Sequence, residues 1–235
     1  MFRSLLVSTL MLPAASVALA QEAAPQPTLS LSASAEVMVE PEFATVRSGV
    51  TVTAATAQDA VRRNAEMMSE VFDALRRAGV QRNDMQTTSL TLQPRYEWDE
   101  RRTEQRLVGY TAQNIVSAKV RDLDEVGDVV DAMVGAGANN IQSVTFGAED
   151  TADDLDRARR LAVARLLEKA SLFADAAGLE LCGITRLSEG GNTPRPMYAN
   201  AMMRESDSLG ASTPLAAGEL TLSASVSADF CIRNG

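Results

Sequence analysis

Apolar and polar residues alternate strictly near both ends of this chain, and this pattern restricts the folds open to it. At positions 29–39 every second residue is Leu, Ala or Val, with Ser or Glu between them except at Met38, and positions 220–232 alternate similarly. Successive side chains of a strand point to opposite faces of a sheet, so each segment predicts a half-buried strand. The Ser-rich faces and the scarcity of charges place these two strands at weakly guarded sheet edges in our interpretation.

The segments between them predict strands in pairs separated by single helices. Apolar residues spaced three and four apart predict helices from Thr56, from about Asp122 and over 153–177, each followed by glycine. Further strands are predicted at 43–53, 85–97, 106–120, 141–146 and 179–188. Neighbouring strands without a crossover pair antiparallel. The predicted fold is therefore α+β, with antiparallel sheet or sheets and three helices packed on one side, in the order ββαββαβαββ.

The first twenty residues have the order of a secretory signal peptide. Arg3 supplies the positive start, 5–12 the apolar centre and 18–20 (ALA) a small-residue cleavage site. We expect cleavage after Ala20 and a periplasmic location, with no transmembrane helix in the mature chain. Residues 21–27 are read as a flexible leader, and 28–235 as one domain that contains a long loop at 189–217.

Composition excludes several functional classes. The chain has no histidine, which rules out Ser-His-Asp catalysis and histidine zinc sites. Its formal net charge of −9 disfavours nucleic acid as a partner. The acidic group at 149–156 lacks the spacing of a calcium loop and suits a helix N-terminus. We therefore expect no catalytic residues, no metal and no cofactor.

Three aromatic residues flank a charged turn at 99–104. Tyr96 and Trp98 precede this turn, and Tyr110 follows it. One interpretation is that they contact a ligand or partner; the other is that they pack against each other across a strand pair. In the long loop, Met197, Met202 and Met203 allow either an adaptable contact surface or a plain loop.

Two cysteines remain in a compartment that favours oxidation. Cys182 and Cys231 lie on the two strands that flank the long loop, and these strands should pair antiparallel. A hairpin centred between Arg204 and Asp207 would place the cysteines opposite each other and permit a structural disulfide. The alternatives are a register displaced by one residue and two buried free thiols.

Several short segments, in their order and spacing, resemble the SIMPL-domain family, the exported YggE-like proteins of bacteria. These segments lie at 35–41, 44–46, 56–57, 109–112 (GYTA), 137–146, 187–189, 213–215 and 218–221. The resemblance implies an exported α+β protein that self-associates, with a loose link to envelope or oxidative stress. It provides no catalytic residues, and the two cysteines are not part of its pattern.

We therefore expect a non-enzymatic periplasmic protein with a structural or interaction role that forms a homo-oligomer. The alternative is a periplasmic module that binds a small ligand of unknown identity. An enzyme of unrecognised type is the third reading, and the missing histidine weighs against it.

Overall fold

The computed structural model describes residues 27–99, 104–190, 197–198, 213 and 215–234. The predicted signal peptide at 1–20 and nearly all of the leader 21–27 lie outside this range. So do Met202, Met203 and residues 204–207, on which the predicted hairpin was centred. Predictions about these residues stay predictions.

Three helices and eight strands form the described chain, which confirms the α+β prediction. The strands are β1 (Thr28–Val39), β2 (Phe43–Ala54), β3 (Met85–Asp99), β4 (Glu104–Val120), β5 (Asn140–Gly147), β6 (Leu179–Glu189), β7 (Met197–Tyr198) and β8 (Leu220–Asn234). The helices are α1 (Ala57–Arg77), α2 (Val126–Gly135) and α3 (Ala152–Ala177).

Local chemistry explains where the helices begin and end. Thr56 caps α1 by accepting the Asp59 N–H at 3.2 Å, as the sequence predicted. Gly178 ends α3 with a left-handed φ of 66°. The second helix begins at Val126 and not near Asp122, because the Asp122 carboxylate accepts the Asp124 N–H at 3.0 Å in a local turn.

The strands form two antiparallel sheets. One has the order β1-β8-β6, with β7 pairing to β8, and the other has the order β3-β4-β2-β5. The prediction that adjacent strands pair is confirmed for β3 with β4 and wrong for β1 with β2. All of β1 pairs instead with β8, from Thr28 opposite Cys231 to Val39 opposite Leu220.

This pairing also corrects the predicted position of the last strand. β8 lies between β1 and β6, so it is a central strand of its sheet and has no free edge along most of its length. The strand is buried on its Leu, Ala, Val and Phe side, as its alternation predicted. Alternation indicates that one face of a strand is buried, but it does not show which strands are its neighbours in the sheet.

The chain consists of two nested halves with the same βαββ topology. The inner half, 43–147, starts with β2, α1, β3 and β4, in which β4 lies between β3 and β2. The outer half consists of β1, α3, β6, β7 and β8, and β8 likewise lies between β6 and β1. The inner half is therefore inserted between the first strand and the helix of the outer half.

Each half has its own core. In the inner half, α1 and α2 cover one face of the sheet, and Val46, Val50, Leu75 and Val116 are fully buried. In the outer half, α3 places an alanine stripe on β1 and β8. Alanines at 158, 162, 170 and 174 let the helix approach the sheet closely, which suits a chain with few aromatic residues.

Candidate interaction site

The sequence-predicted aromatic residues lie on one face of the β3–β4 hairpin. Residues two apart in a strand share a face, and directly opposed residues point to the same side. Tyr96 and Trp98 are therefore neighbours on β3, and Tyr110 of β4 joins the same face opposite Pro94. Trp98 is 59% exposed, whereas Tyr110 is half-buried. The structure thus brings the three together and leaves two of them open to solvent.

The same face of β3 carries apolar residues that the sequence analysis missed. Leu90 and Leu92 are exposed on the line that continues to Tyr96 and Trp98, and Leu107 lies opposite Tyr96. We call these five residues the apolar strip. The sequence contains the signal, since positions 90, 92, 96 and 98 share one face, but the same spacing would also fit a buried strand.

The apolar strip is exposed because α1 covers the centre of the sheet and not its edge. The α1 residue Asn64 is 1% exposed and donates to the carbonyl oxygens of Val50 (2.7 Å) and Ala112 (3.3 Å), on β2 and β4. Leu92 lies directly opposite Ala112, one strand further out. The helix therefore shields Ala112 and leaves Leu92 uncovered.

β3 also presents an open sheet edge. It is the terminal strand of its sheet, and its residues 85–94 (MQTTSLTLQP) include no charge. Pro94 lacks an N–H and weakens the edge at that point. The stretch 85–93 thus combines unpaired backbone groups with exposed leucines, which is the combination that natural edge strands usually avoid.

In contrast, α3 guards the free edge of β1. Lys169 Nζ donates to the Ser32 carbonyl oxygen at 3.1 Å, and Arg165 Nη1 donates to the Ser34 carbonyl oxygen at 2.9 Å. Two long cationic side chains thus occupy acceptors that another strand would need. The prediction that this edge is weakly guarded was wrong, because the guards come from a helix far away in sequence.

A buried acceptor lies beside the apolar strip. The Asn114 side-chain oxygen is buried and has no hydrogen-bond partner among the described residues. Asn114 is directly opposite Leu90 in the sheet. A buried oxygen without a donor is costly, so this position weakens the sheet beside the strip.

The acidic group at 149–156 has the structural role expected of it. Glu149 accepts from Lys119 Nζ at 2.5 Å and from Arg121 Nη1 at 2.6 Å, and these cations lower the pKa of its carboxyl. Asp153 and Asp154 lie in the first turn of α3. Within the part of the chain that the structure describes, no three potential metal ligands cluster together.

Cys182 and Cys231 form a disulfide with Cα atoms 5.1 Å apart. The predicted hairpin required the two cysteines to be directly opposite each other. They are not, because β6 has a bulge. Leu181 pairs with Ile232 and Gly183 pairs with Cys231, so Cys182 is the extra residue. The bridge therefore forms across a register that is displaced by one residue at the bulge.

Comparison with known proteins gives a consistent result. The family model of SIMPL, a protein of unknown function (DUF541), matches residues 29–230. A 26 kDa periplasmic immunogenic protein of Brucella melitensis biotype 1 is 31% identical over 202 residues, 82% of this chain and 80% of the relative. The uncharacterized protein YggE of Escherichia coli K12 is 27% identical over 174 residues, 74% of this chain and 70% of the relative.

Among the helices that the structure describes, none is long and apolar enough to cross a bilayer. The family model covers both halves of the fold, from the second residue of β1 to the buried Phe230 of β8. The relatives match over most of their own length as well. This chain therefore belongs to the SIMPL family.

Proposed function

We propose that this protein is a periplasmic, non-enzymatic interaction protein that self-associates through the β3 edge and the apolar strip. One observation carries the proposal: β3 is an edge strand that has no charge over 85–94 and displays exposed leucines and aromatic residues on one face. An added strand from a second copy would satisfy the backbone groups of β3 and cover the strip. The periplasmic name of the Brucella relative and the signal-peptide pattern support the location.

The experiment is light scattering after size-exclusion chromatography of the mature protein. We expect a homo-oligomer at micromolar concentration. Leu90→Lys should raise the dissociation constant of this oligomer by about tenfold or more, because the variant places a charge in an apolar contact. Met38→Lys is the matched control, since Met38 is 61% exposed and Leu90 is 63% exposed.

Met38 lies on β1, at the edge that Lys169 and Arg165 guard, so its variant should keep the native mass. A monomeric wild-type protein would refute self-association. An oligomer that both variants leave unchanged would refute the assignment of the interface to β3.

The exposed pair Tyr96 and Trp98 favours a second candidate, a module that binds a small ligand by stacking on aromatic rings. A thermal-shift screen tests this candidate: one compound should raise the melting temperature of the wild type and fail to raise that of Trp98→Ala.

We also propose a role in envelope or oxidative stress, which the family resemblance implies. Sensitivity of a deletion strain to oxidants, with rescue by the wild-type gene, is the corresponding test.

A further inference from the structure

We propose that the Cys182–Cys231 bridge is an accessible site of thiol–disulfide exchange that opens without loss of the fold. Cys182 is exposed on β6, the terminal strand of its sheet. Cys231 is half-buried on β8, on the face opposite the buried Phe230 and therefore away from α3. The bridge thus lies outside the packed core of the outer half.

The inner half shows that this strand pairing needs no disulfide. β3 occupies the same place in the inner half as β6 in the outer half, and both have a bulge at their fourth residue. In β3, Thr87 pairs with Val116 and Ser89 with Ile115, so Thr88 is the extra residue. Thr88 Oγ1 donates to the Ile115 carbonyl oxygen at 3.4 Å.

The topological equivalents of Thr88 and Ile115 are Cys182 and Cys231. One half joins the bulge to the neighbouring strand by a hydroxyl hydrogen bond, and the other half uses a disulfide. The same solution occurs within β6 itself, where a second bulge places Thr185 between Ile184 and Arg186. Thr185 Oγ1 donates to the Asp229 carbonyl oxygen at 2.9 Å.

Other contacts hold β6 in place on both sides of the bridge. The strand pairs with β8 from Leu179 to Glu189, which leaves the ladder intact above and below Cys182. Arg233 of β8 pairs with Glu180 at 2.7 Å, and Arg159 of α3 pairs with Glu189 at 2.7 Å. Reduction of the bridge therefore loosens the bulge and leaves the rest of the sheet intact.

The exposure of Cys182 decides the course of the exchange. The thiolate of a dithiol reductant attacks Sγ of Cys182, the bond between the two cysteine sulfurs breaks, and Cys231 leaves as a thiolate that takes up a proton. The second thiol of the reductant then displaces Cys182 from the mixed disulfide. Two electrons reduce the protein disulfide, and the dithiol is oxidised to its own disulfide.

The test is titration of the mature protein with dithiothreitol, followed by alkylation and mass spectrometry. We expect both thiols to become alkylated at concentrations that leave the circular dichroism spectrum and cooperative melting unchanged. A bridge that resists reduction until the protein unfolds would overturn the proposal, and so would two alkylatable thiols before any reductant is added.

Single-cysteine variants test which sulfur is attacked. The free Cys182 of Cys231→Ser should form a mixed disulfide with a small aromatic disulfide reagent about tenfold faster than the free Cys231 of Cys182→Ser. Equal rates would contradict attack at Cys182. Cys182→Thr copies the bulge of the inner half and should fold with an unchanged spectrum; failure of this variant to fold would show that the bridge is needed for the strand pairing.

Discussion

Gly178 shows how a single residue fixes the exit of a helix. It ends α3 in the left-handed region, and a Cβ added there would meet no atom within 4 Å. A side chain at this position would therefore lower stability through its backbone conformation and not through clashes with neighbouring atoms. Gly135, the last residue of α2, has equally open space but no positive φ.

We expect Gly178→Ala to lower the free energy of unfolding by about 1 kcal/mol, since a non-glycine residue pays for the left-handed conformation. Gly135→Ala should leave it unchanged or raise it by up to about 1 kcal/mol, because alanine favours a helix. Urea unfolding of both variants measures the difference. A loss at Gly135 as large as that at Gly178 would contradict this explanation.

Strand edges show how elements protect one another. β1 and β3 are both terminal strands, and residues 29–35 and 85–94 are both uncharged. They differ in their contacts with the adjacent helix. Lys169 and Arg165 of α3 donate hydrogen bonds to carbonyl oxygens of β1. No such bond from α1 to a β3 carbonyl is present among the described residues. The molecule thus closes one edge and leaves the other available.

Removal of the guards should open the β1 edge. We expect the double variant Arg165→Ala and Lys169→Ala to associate further than the wild type, because its unpaired carbonyls then accept a strand from another copy. Light scattering at increasing concentration measures this, with at least a doubling of the weight-average mass expected for pairing of that edge.

The charge-matched control is Arg157→Ala with Arg160→Ala, which removes two cations from α3. Arg157 pairs with Asp154 of its own helix, so the control leaves the β1 carbonyls covered. If the control associates as strongly as the test variant, net charge and not edge protection governs the behaviour.

The two halves meet at a pair of connections that contact each other. The Glu149 N–H donates to Glu42 Oε2 at 2.7 Å, and the Glu42 N–H donates to the Gly147 carbonyl oxygen at 2.8 Å. The Glu149 side chain is held by Lys119 and Arg121 of the inner half. One carboxylate therefore ties the connection before α3 to the inner sheet.

This tie makes stability depend on pH. The pKa of Glu149 is lowered by Lys119 first and by Arg121, relative to an ordinary value of 4.5. Its contribution is complete above 4.5 and is lost as the pH falls through the lower folded-state value. Glu149→Gln should unfold at a lower urea concentration than the wild type at neutral pH, and this difference should vanish in acid.

The control for this experiment is Glu70→Gln, which neutralises an exposed carboxylate of α1. Its urea midpoint should follow that of the wild type over the whole pH range. A Glu149 variant whose deficit persists in acid would show that the side chain acts through packing and not through its charge.

The sequence alone determined the three helices and seven of the eight described strands. It missed β7, which lies within the segment 189–217 that was predicted to be a loop. Alternation of period two and spacings of three and four are local properties, so strands such as β2 and helices such as α3 could be located from the chain. Caps such as Thr56 and stops such as Gly178 are local as well. The α+β class followed, because pairs of strands with single helices between them leave few other arrangements.

Tertiary structure decided which strands are neighbours and which surfaces stay open. Every half-buried strand shows the same alternation, so the pattern could not reveal that β1 pairs with β8 across the whole inner half. The bulge at Cys182 depends on a second long-range ladder, the one between β6 and β8. Leu90 reads like a core residue and is exposed because α1 packs over β2 and β4 and leaves most of β3 uncovered. Contacts between segments distant in the chain fixed these features, and a local pattern carries no information about them.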